Sequence, residues 1–240
     1  MKFKLSTVTK KVLMALTGLI LVLFVLGHMA GNLQMFISQD VMNHYAYLLQ
    51  HMPYGLLWVV RSVLLVAVLT HGLLALILTL ENRRARPEGY RVKKTMQASL
   101  ASKTMGVSGS IILIFIFFHI GHFTLRCIFP EYKTDAFYTT LNGMEVYDVY
   151  KMVITGFSKP LVSIFYIISM AFLCLHLSHG VSSMFQSIGW RNKKWKGCLD
   201  TFALIYGWVI FLGFISTPIA ILMSLHMGID SIPAREILGK

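Results

Sequence analysis

The stretch KKVLMALTGLILVLFVLGH, residues 10–28, decides the fold of this chain. After its two lysines it carries no formally charged side chain, and its apolar character continues beyond His28. Secretory signal sequences have an apolar core of only about 7–15 residues before a small-residue cleavage site. The longer segment here therefore predicts a retained transmembrane helix.

Four more stretches reach the roughly 20 mostly apolar residues that a membrane-spanning helix needs. The five predicted spans are roughly 12–37, 57–80, 105–128, 161–187 and 202–227. Hydrophobic residues make up 56% of the chain and charged residues 13%, whereas soluble domains carry about 25% charged residues. The sequence predicts an all-α fold, with residues 1–240 forming one membrane domain that is a bundle of five transmembrane helices.

Lysine and arginine are concentrated in alternate connections, and this pattern predicts the orientation of the chain in the membrane. The N-terminus and the second and fourth connections carry 15 of the 22, and the first connection carries none. Cytoplasmic loops are rich in these residues, so the N-terminus is predicted to be cytoplasmic and the C-terminus outside, in a bacterial cytoplasmic membrane. The net charge of +12 then points to anionic lipid, and no basic run is interleaved with aromatics as a nucleic-acid site would be.

Histidines inside the spans are the main functional signal. Nine are present, and six lie within the first four spans. An ionisable side chain in hydrocarbon costs at least a few kcal/mol unless it has a partner, so it indicates a functional site. The six are His28, His71, His119, His122, His176 and His179.

The depth of each histidine indicates which of them meet. With a rise of 1.5 Å per residue, His28 and His119 lie roughly 24 and 22 Å from the cytoplasmic ends of their spans. His71 and His176 lie roughly 15–17 Å from that side. We name His28 with His119 the outer pair and His71 with His176 the inner pair. Two levels of paired imidazoles in a bundle predict two bis-histidine b haems.

Small residues accompany these histidines. Thr17-Gly18 and Ser108-Gly109 precede His28 and His119 by eleven and ten residues, which places them on the faces of those histidines. Glycine there would make room for a flat macrocycle or a close helix. Gly180 follows His176 by four residues in the same way.

His122 and His179 each lie three residues beyond a preferred ligand and are its rivals. The glycine spacing favours His119 over His122, and depth favours His176 over His179. The two rivals remain candidates for contacts to haem propionates, a quinone or a neighbouring helix.

Other metal centres fit the sequence less well. Structural zinc needs clustered Cys and His, and a diiron bundle needs Glu-x-x-His motifs. Cys127, Cys174 and Cys198 lack metal-type spacing and are interpreted as small apolar residues.

The chain resembles the single-chain, five-helix, di-haem cytochrome b subunits of succinate dehydrogenases and fumarate reductases. The matching stretches are residues 10–28, the LTHGLLAL segment around His71, SGSIILIFIFFH ending at His119, and HLSHG from His176. The resemblance implies that His28, His71, His119 and His176 are the axial ligands. It also implies a flavoprotein subunit with FAD, an iron–sulfur subunit, a membrane quinone, expected to be menaquinone, and allows for a dimer of the whole complex.

One position departs from that family. Some of its fumarate reductases have a glutamate two residues before the fourth ligand, implicated in transmembrane proton movement, where this chain has Cys174. A proton route of that kind is not expected here, and the physiological direction of turnover is left open.

A quinone site needs hydrogen-bond donors to two carbonyls near water. The candidates around the outer pair are Asn32, Gln34, His44, Tyr45, His51, Arg61, His122 and Arg126. Arg61, near the start of the second span, is expected to pair with a haem propionate, and Arg126 is a secondary candidate for cofactor binding. The alternative for both arginines is snorkelling to lipid headgroups, and the alternative for His44 and His51 is solvent exposure.

The cytoplasmic basic residues offer a docking hypothesis. Topology alone explains much of the positive charge. The remaining hypothesis is that Arg83, Arg84, Arg86, Lys93 and Lys94 dock the iron–sulfur subunit.

Two rival functions remain open at this point. One is the di-haem cytochrome b anchor of a hydrogenase, formate dehydrogenase or nitrate reductase, which usually carries several histidines on fewer helices. The other is a transporter or channel with proton-relay histidines, which would favour intramembrane carboxylates or broken helices.

Overall fold

A computed structural model describes residues 5–85, 104–229 and 231–239. Over these residues the fold is all-α, and five helical segments are long and apolar enough to cross a membrane. They cover Thr7–Phe36, Pro53–Arg84, Met105–Thr124, Pro160–Ser187 and Lys196–Met227. The prediction of a multi-pass membrane protein with five spans is thereby confirmed.

The long helices are α1 (Thr7–Leu33), α3 (Leu56–Arg84), α4 (Met105–His119), α6 (Pro160–Ser187) and α7 (Lys196–Met227). The shorter ones are α2 (Gln39–Gln50), α5 (Val149–Phe157) and α8 (Ala234–Ile237). A two-stranded sheet, β1 (Tyr138–Leu141) and β2 (Met144–Tyr147), lies between α4 and α5.

Several helices extend beyond their apolar runs because polar contacts support the extra turns. The hydroxyl of Ser6 accepts the Thr9 N–H at 3.1 Å and caps α1, which begins at Thr7, five residues before the predicted start. An ion pair between Lys10 and Glu81 joins that first turn to the last turns of α3. Helices can continue past the hydrocarbon wherever charged side chains find partners.

The start of α7 follows the same rule. Asp200 accepts two hydrogen bonds of 2.8 Å from the Arg191 guanidinium and a third from the Ser182 hydroxyl. Bidentate pairs of this kind are among the stronger ion pairs. They fix the first turns of α7 against the end of α6.

The helices pack so that α6 and α7 share the longest contact and α1 lies against α3, α6 and α7. Helix α4 packs on α6. Around the bundle the neighbours are therefore α3–α1, α1–α6 and α6–α4. The outer faces carry exposed apolar side chains such as Leu23, Leu65 and Leu161, as a lipid-facing surface does.

The first and third connections fold together into one layer at the end of the bundle opposite the N-terminus. We name this layer, made of α2, the β1–β2 hairpin and α5, the outer cap; α8 packs against it. Asp148 is its centre, accepting hydrogen bonds from Asn43 at 2.9 Å and Gln39 at 2.7 Å. The same carboxylate caps α5 through the Lys151 N–H at 2.9 Å.

The β1–β2 hairpin is an element that the predicted all-α fold does not include. Its strands pair antiparallel with Tyr138 opposite Tyr147 and Leu141 opposite Met144. Asn142 and Gly143 form the turn with φ of 52° and 79°, which matches the Asn-Gly preference of tight hairpins.

Candidate functional site

The inner pair meets inside the bundle. The ring centroids of His71 and His176 are 6.4 Å apart, with ring planes inclined by 63°. The Nδ1 atom of His71 lies 3.1 Å from the Met14 carbonyl oxygen and 3.4 Å from the Thr17 hydroxyl. The Nδ1 atom of His176 lies 3.2 Å from the Ser108 hydroxyl. Each ring is thus oriented by a hydroxyl from a neighbouring helix.

The two glycines beside those hydroxyls explain the close approach. A Cβ at Gly18 would come 3.3 Å from Cε1 of His71, and one at Gly109 would come 3.5 Å from Cε1 of His176. From the spacing alone, these small residues were predicted to share helix faces with His28 and His119. In the structure they face the inner pair instead. They lie about 16 Å along their helices from His28 and His119.

The outer pair also meets. The ring centroids of His28 and His119 are 5.6 Å apart, with planes inclined by 79°. Phe24 stacks on His28 at 5.4 Å, and Phe115 stacks on His119 at 5.6 Å. Phe214 of α7 lies 5.8 Å from His28. Aromatic rings, rather than aliphatic hydroxyls, surround this level.

Both pairs fit the requirements of a bis-histidine metal ligand set. Metal–imidazole bonds are about 2.0–2.1 Å, so two rings on opposite sides of one metal have centroids roughly 6 Å apart. Among the described residues, the hydrogen bonds of His71, His119 and His176 all involve Nδ1. Their Nε2 atoms therefore carry no hydrogen bond from the described part of the chain.

The helix arrangement supports the same fit. His71 and His176 lie on α3 and α6, while His28 and His119 lie on α1 and α4. Neither of these helix pairs is in extended contact, so each histidine pair spans a diagonal of the bundle. A flat group the width of a macrocycle needs such a gap between helices.

His122, the rival of His119, has a different environment. The helix widens into a π turn over Ile120–Thr124, and the His122 side chain is fully buried. Its Nδ1 lies 2.9 Å from the Tyr166 hydroxyl, and its Nε2 lies 3.2 Å from the Tyr132 hydroxyl. Both ring nitrogens are therefore occupied by protein groups.

His179, the rival of His176, is half-buried one turn further along α6. It belongs to neither ring pair. Cys174, at the position of the family's glutamate, is buried at the contact of α6 with α7, where a Cβ at Gly207 would come 2.9 Å from the Cys174 carbonyl oxygen.

The quinone-site candidates are spread over the outer end of the bundle. Asn32 and Gln34 are partly buried at the end of α1, and His44 is exposed on α2. The ring of Tyr45 packs against Gly31, so close that a Cβ there would come 2.8 Å from it. Arg61 is exposed, with its guanidinium 5.0 Å from the ring of Trp58.

Arg126 and His51 come together at a polar cleft of about 270 Å³ at the outer cap. Gln50, Tyr138 and Glu145 also line it. Arg126 has a φ of 54° and stacks its guanidinium 3.6 Å above the Tyr147 ring. Burial raises the pKa of the Tyr147 phenol to about 12, so this ring stays neutral beneath the arginine.

Two of the predicted docking residues are described, and they lie at the end of the bundle opposite the outer cap. Arg83 and Arg84 form the last turn of α3, whereas Arg86, Lys93 and Lys94 lie outside the described residues.

Tyr166 and Tyr132 are the contacts that sequence reasoning missed. Tyr166 is 6% exposed and lies 3.3 Å from Nδ1 of His119. Burial raises the pKa of the Tyr132 phenol well above its ordinary value, and Tyr132 has no exposed surface. A buried tyrosine needs a hydrogen-bond partner, and this requirement could have directed attention to both.

No group of three or more His, Cys, Asp or Glu residues that could hold a metal ion occurs within residues 5–85, 104–229 and 231–239. Comparison of the chain with protein-family models, curated proteins and solved structures gave no match. The resemblance drawn from its motifs therefore stays a prediction.

Proposed function

We propose that this chain is the membrane anchor and cytochrome b subunit of a succinate:quinone oxidoreductase or quinol:fumarate reductase, with two b haems. The observation that supports the proposal most directly is the presence of two imidazole pairs at two levels of the bundle, His71 with His176 and His28 with His119. The assignment to the succinate and fumarate class rests in addition on the motif resemblance.

Two bound haems would supply one-electron carriers at two depths of the membrane. The chain's own contribution is to hold and orient the ligands. The Thr17 and Ser108 hydroxyls and the Met14 carbonyl fix the inner rings through Nδ1, so His71 and His176 would hold a haem iron through Nε2. Such outer contacts set the tautomer and basicity of a ligating histidine.

Apolar side chains of α1, α6 and α7, including Val25, Leu177 and Ile210, pack into one cluster. Val25 and Leu177 lie within three residues of His28 and His176 in the sequence. A low-dielectric shell of this kind controls reduction potential. The two levels give electrons a path from the N-terminal side of the bundle toward the outer cap, where the quinone candidates lie.

The soluble partners are proposed to dock at the N-terminal side of the bundle. A flavoprotein subunit with FAD would interconvert succinate and fumarate, and an iron–sulfur subunit would exchange electrons with the inner level. The basic residues Arg83 and Arg84 at the end of α3 would contribute to that interface.

The test is a redox and activity assay of the complex retained on membranes. The proposal predicts a reduced-minus-oxidised spectrum of b type and succinate-dependent reduction of a quinone analogue, with menaquinone analogues compared with ubiquinone analogues. A b-type spectrum with hydrogen or formate as the only effective donor would assign the chain to another respiratory complex. Absence of a haem band would favour the transporter alternative.

A further inference from the structure

We propose that Tyr166 and His122 are positioning residues that orient the outer ligand His119 and lower the reduction potential of the haem it would bind. The proposal rests on the proposed function, because it assigns His119 to a haem iron. It goes beyond that function by naming the groups that distinguish the outer site from the inner one.

The geometry is a continuous chain of hydrogen-bonding groups. The Tyr166 hydroxyl lies 3.3 Å from Nδ1 of His119 and 2.9 Å from Nδ1 of His122. The other nitrogen of His122 lies 3.2 Å from the Tyr132 hydroxyl. The first contact is long for a hydrogen bond and the second is of ordinary length.

Metal ligation would fix the direction of every hydrogen bond in this chain. A histidine bound to a metal through Nε2 carries its proton on Nδ1, so His119 donates to the Tyr166 oxygen. The Tyr166 O–H then donates to Nδ1 of His122. That leaves His122 with its proton on Nε2, which donates to the Tyr132 oxygen.

The local fold is built to hold these groups in place. The π turn over Ile120–Thr124 contains His122, and π turns inside helices are frequent at functional sites. Gly156 of α5 provides the space, because a Cβ there would come 2.9 Å from both Nε2 of His122 and the Tyr132 hydroxyl. The ring of Phe157 packs edge-on to Tyr166 at 4.9 Å.

The expected chemical effect follows from the direction of donation. An acceptor on Nδ1–H makes a ligating imidazole more basic, which favours ferric over ferrous iron. Donation from Tyr166 onward to His122 polarises its oxygen and strengthens that acceptor, as hydrogen bonds in a chain do. In the described part of the chain the Nδ1 atoms of the inner pair have other partners, the Ser108 hydroxyl at His176 and the Met14 carbonyl with the Thr17 hydroxyl at His71.

The experiment is a potentiometric titration of both haems in the intact complex, with low-spin ferric signals read by electron paramagnetic resonance. For Tyr166→Phe we expect both haems to remain bound and the outer potential to rise. The expected size is roughly tenfold in the ratio of ferrous to ferric haem at fixed ambient potential, which is 59 mV for one electron. Tyr132→Phe should shift it in the same direction by less.

Two matched variants serve as controls. Tyr206→Phe removes a buried hydroxyl that donates to the Val22 carbonyl at 2.6 Å, and neither potential should change. Ser108→Ala should change the inner potential and leave the outer one unchanged. Tyr132→Phe keeps the proposal testable if Tyr166→Phe fails to assemble.

The outcomes separate this proposal from the function on which it rests. Two haems in the parent with unchanged outer potentials in Tyr166→Phe and Tyr132→Phe would overturn the positioning role alone. An equal shift of both haems in Tyr166→Phe would also overturn it, since a general loosening of the bundle acts on both levels. A parent complex without haem would overturn both proposals.

Discussion

The inner pair, His71 and His176, is oriented by aliphatic hydroxyls and a backbone carbonyl, whereas the outer pair, His28 and His119, lies among phenylalanine rings beneath the outer cap. The ring separations are nevertheless similar, at 6.4 and 5.6 Å. Similar pair geometry is therefore reached with different surroundings. The surroundings are where we expect the two sites to differ in potential and in sensitivity to mutation.

The difference has a structural origin in the position of each level. At the inner level Gly18 and Gly109 allow α1 and α4 to bring a hydroxyl onto the ring of a neighbouring helix. At the outer level α4 passes into a π turn, and the Tyr132 hydroxyl of the third connection lies 3.2 Å from Nε2 of His122 in that turn. The inner site depends on helix packing, while the outer site depends also on the fold of the connections.

The largest effect is expected when one of the proposed axial histidines is removed. We expect His71→Ala to lose the inner haem and retain the outer one, and His28→Ala to do the reverse, because each variant removes one of two axial ligands. The measurement is haem content per chain with the potential of the haem that remains. His226→Ala, an exposed histidine near the end of α7, is the control and should retain both haems. Retention of both in His71→Ala would reject that ligand.

Weakening the outer cap should affect the two levels unequally. Asp148 is 3% exposed and accepts side-chain hydrogen bonds from Asn43 and Gln39. Asp148→Ala removes these charge-assisted bonds and leaves buried donors without an acceptor, at a cost of about 2–4 kcal/mol. Thermal unfolding in detergent, followed by the haem bands, should show the outer haem lost before the inner. Simultaneous loss at an unchanged temperature would contradict the dependence on the cap.

Removing the inner hydroxyls should have a smaller, graded effect. Ser108→Ala deletes the hydroxyl at Nδ1 of His176, which we expect to weaken haem retention there roughly tenfold. Thr17→Val should weaken it less, because His71 keeps the Met14 carbonyl at 3.1 Å. The rate of haem transfer to a competing haem-binding apoprotein measures haem retention in both variants. A larger effect for Thr17→Val than for Ser108→Ala would mean that the hydroxyls act through packing instead.

The smallest effect is expected at the exposed ion pair between Lys159 and Glu131. The Lys159 ammonium donates to Glu131 at 2.9 Å and holds the pKa of that carboxyl below its ordinary value of 4.5. The pair therefore stabilises the fold above pH 4.5 and loses its contribution as the pH falls through the lowered pKa. Exposed pairs contribute about 0–1 kcal/mol. In Glu131→Gln the free energy of unfolding should fall less between neutral and acid pH, by about that amount. An unchanged dependence on pH would show that the pair contributes nothing.

The sequence predicted the spans and the two ring pairs because the signals are local. Hydropathy identifies an apolar helix without knowledge of its neighbours, and the constant rise per residue converts His28, His71, His119 and His176 into depths. Helix ends were less accurate, since Ser6 and the Arg191–Asp200 pair extend α1 and α7 through contacts.

The surroundings of the sites could not be read from one sequence. The partners of Thr17 and Ser108 depend on which helices are adjacent. The sequence therefore predicted the helix face on which these hydroxyls lie, but not that they contact the rings of His71 and His176. Tyr166 lies 44 residues from His122, and no periodicity relates them. The hairpin was in principle predictable, because Asn142-Gly143 is a strong turn signal.

The most direct test of the account is the number and ligation of haems in the purified chain. We predict two b haems per chain, both low-spin with two histidine ligands, by quantitative haem extraction and electron paramagnetic resonance. One haem, none, or a high-spin signal in the native protein would contradict the assignment of the inner and outer pairs.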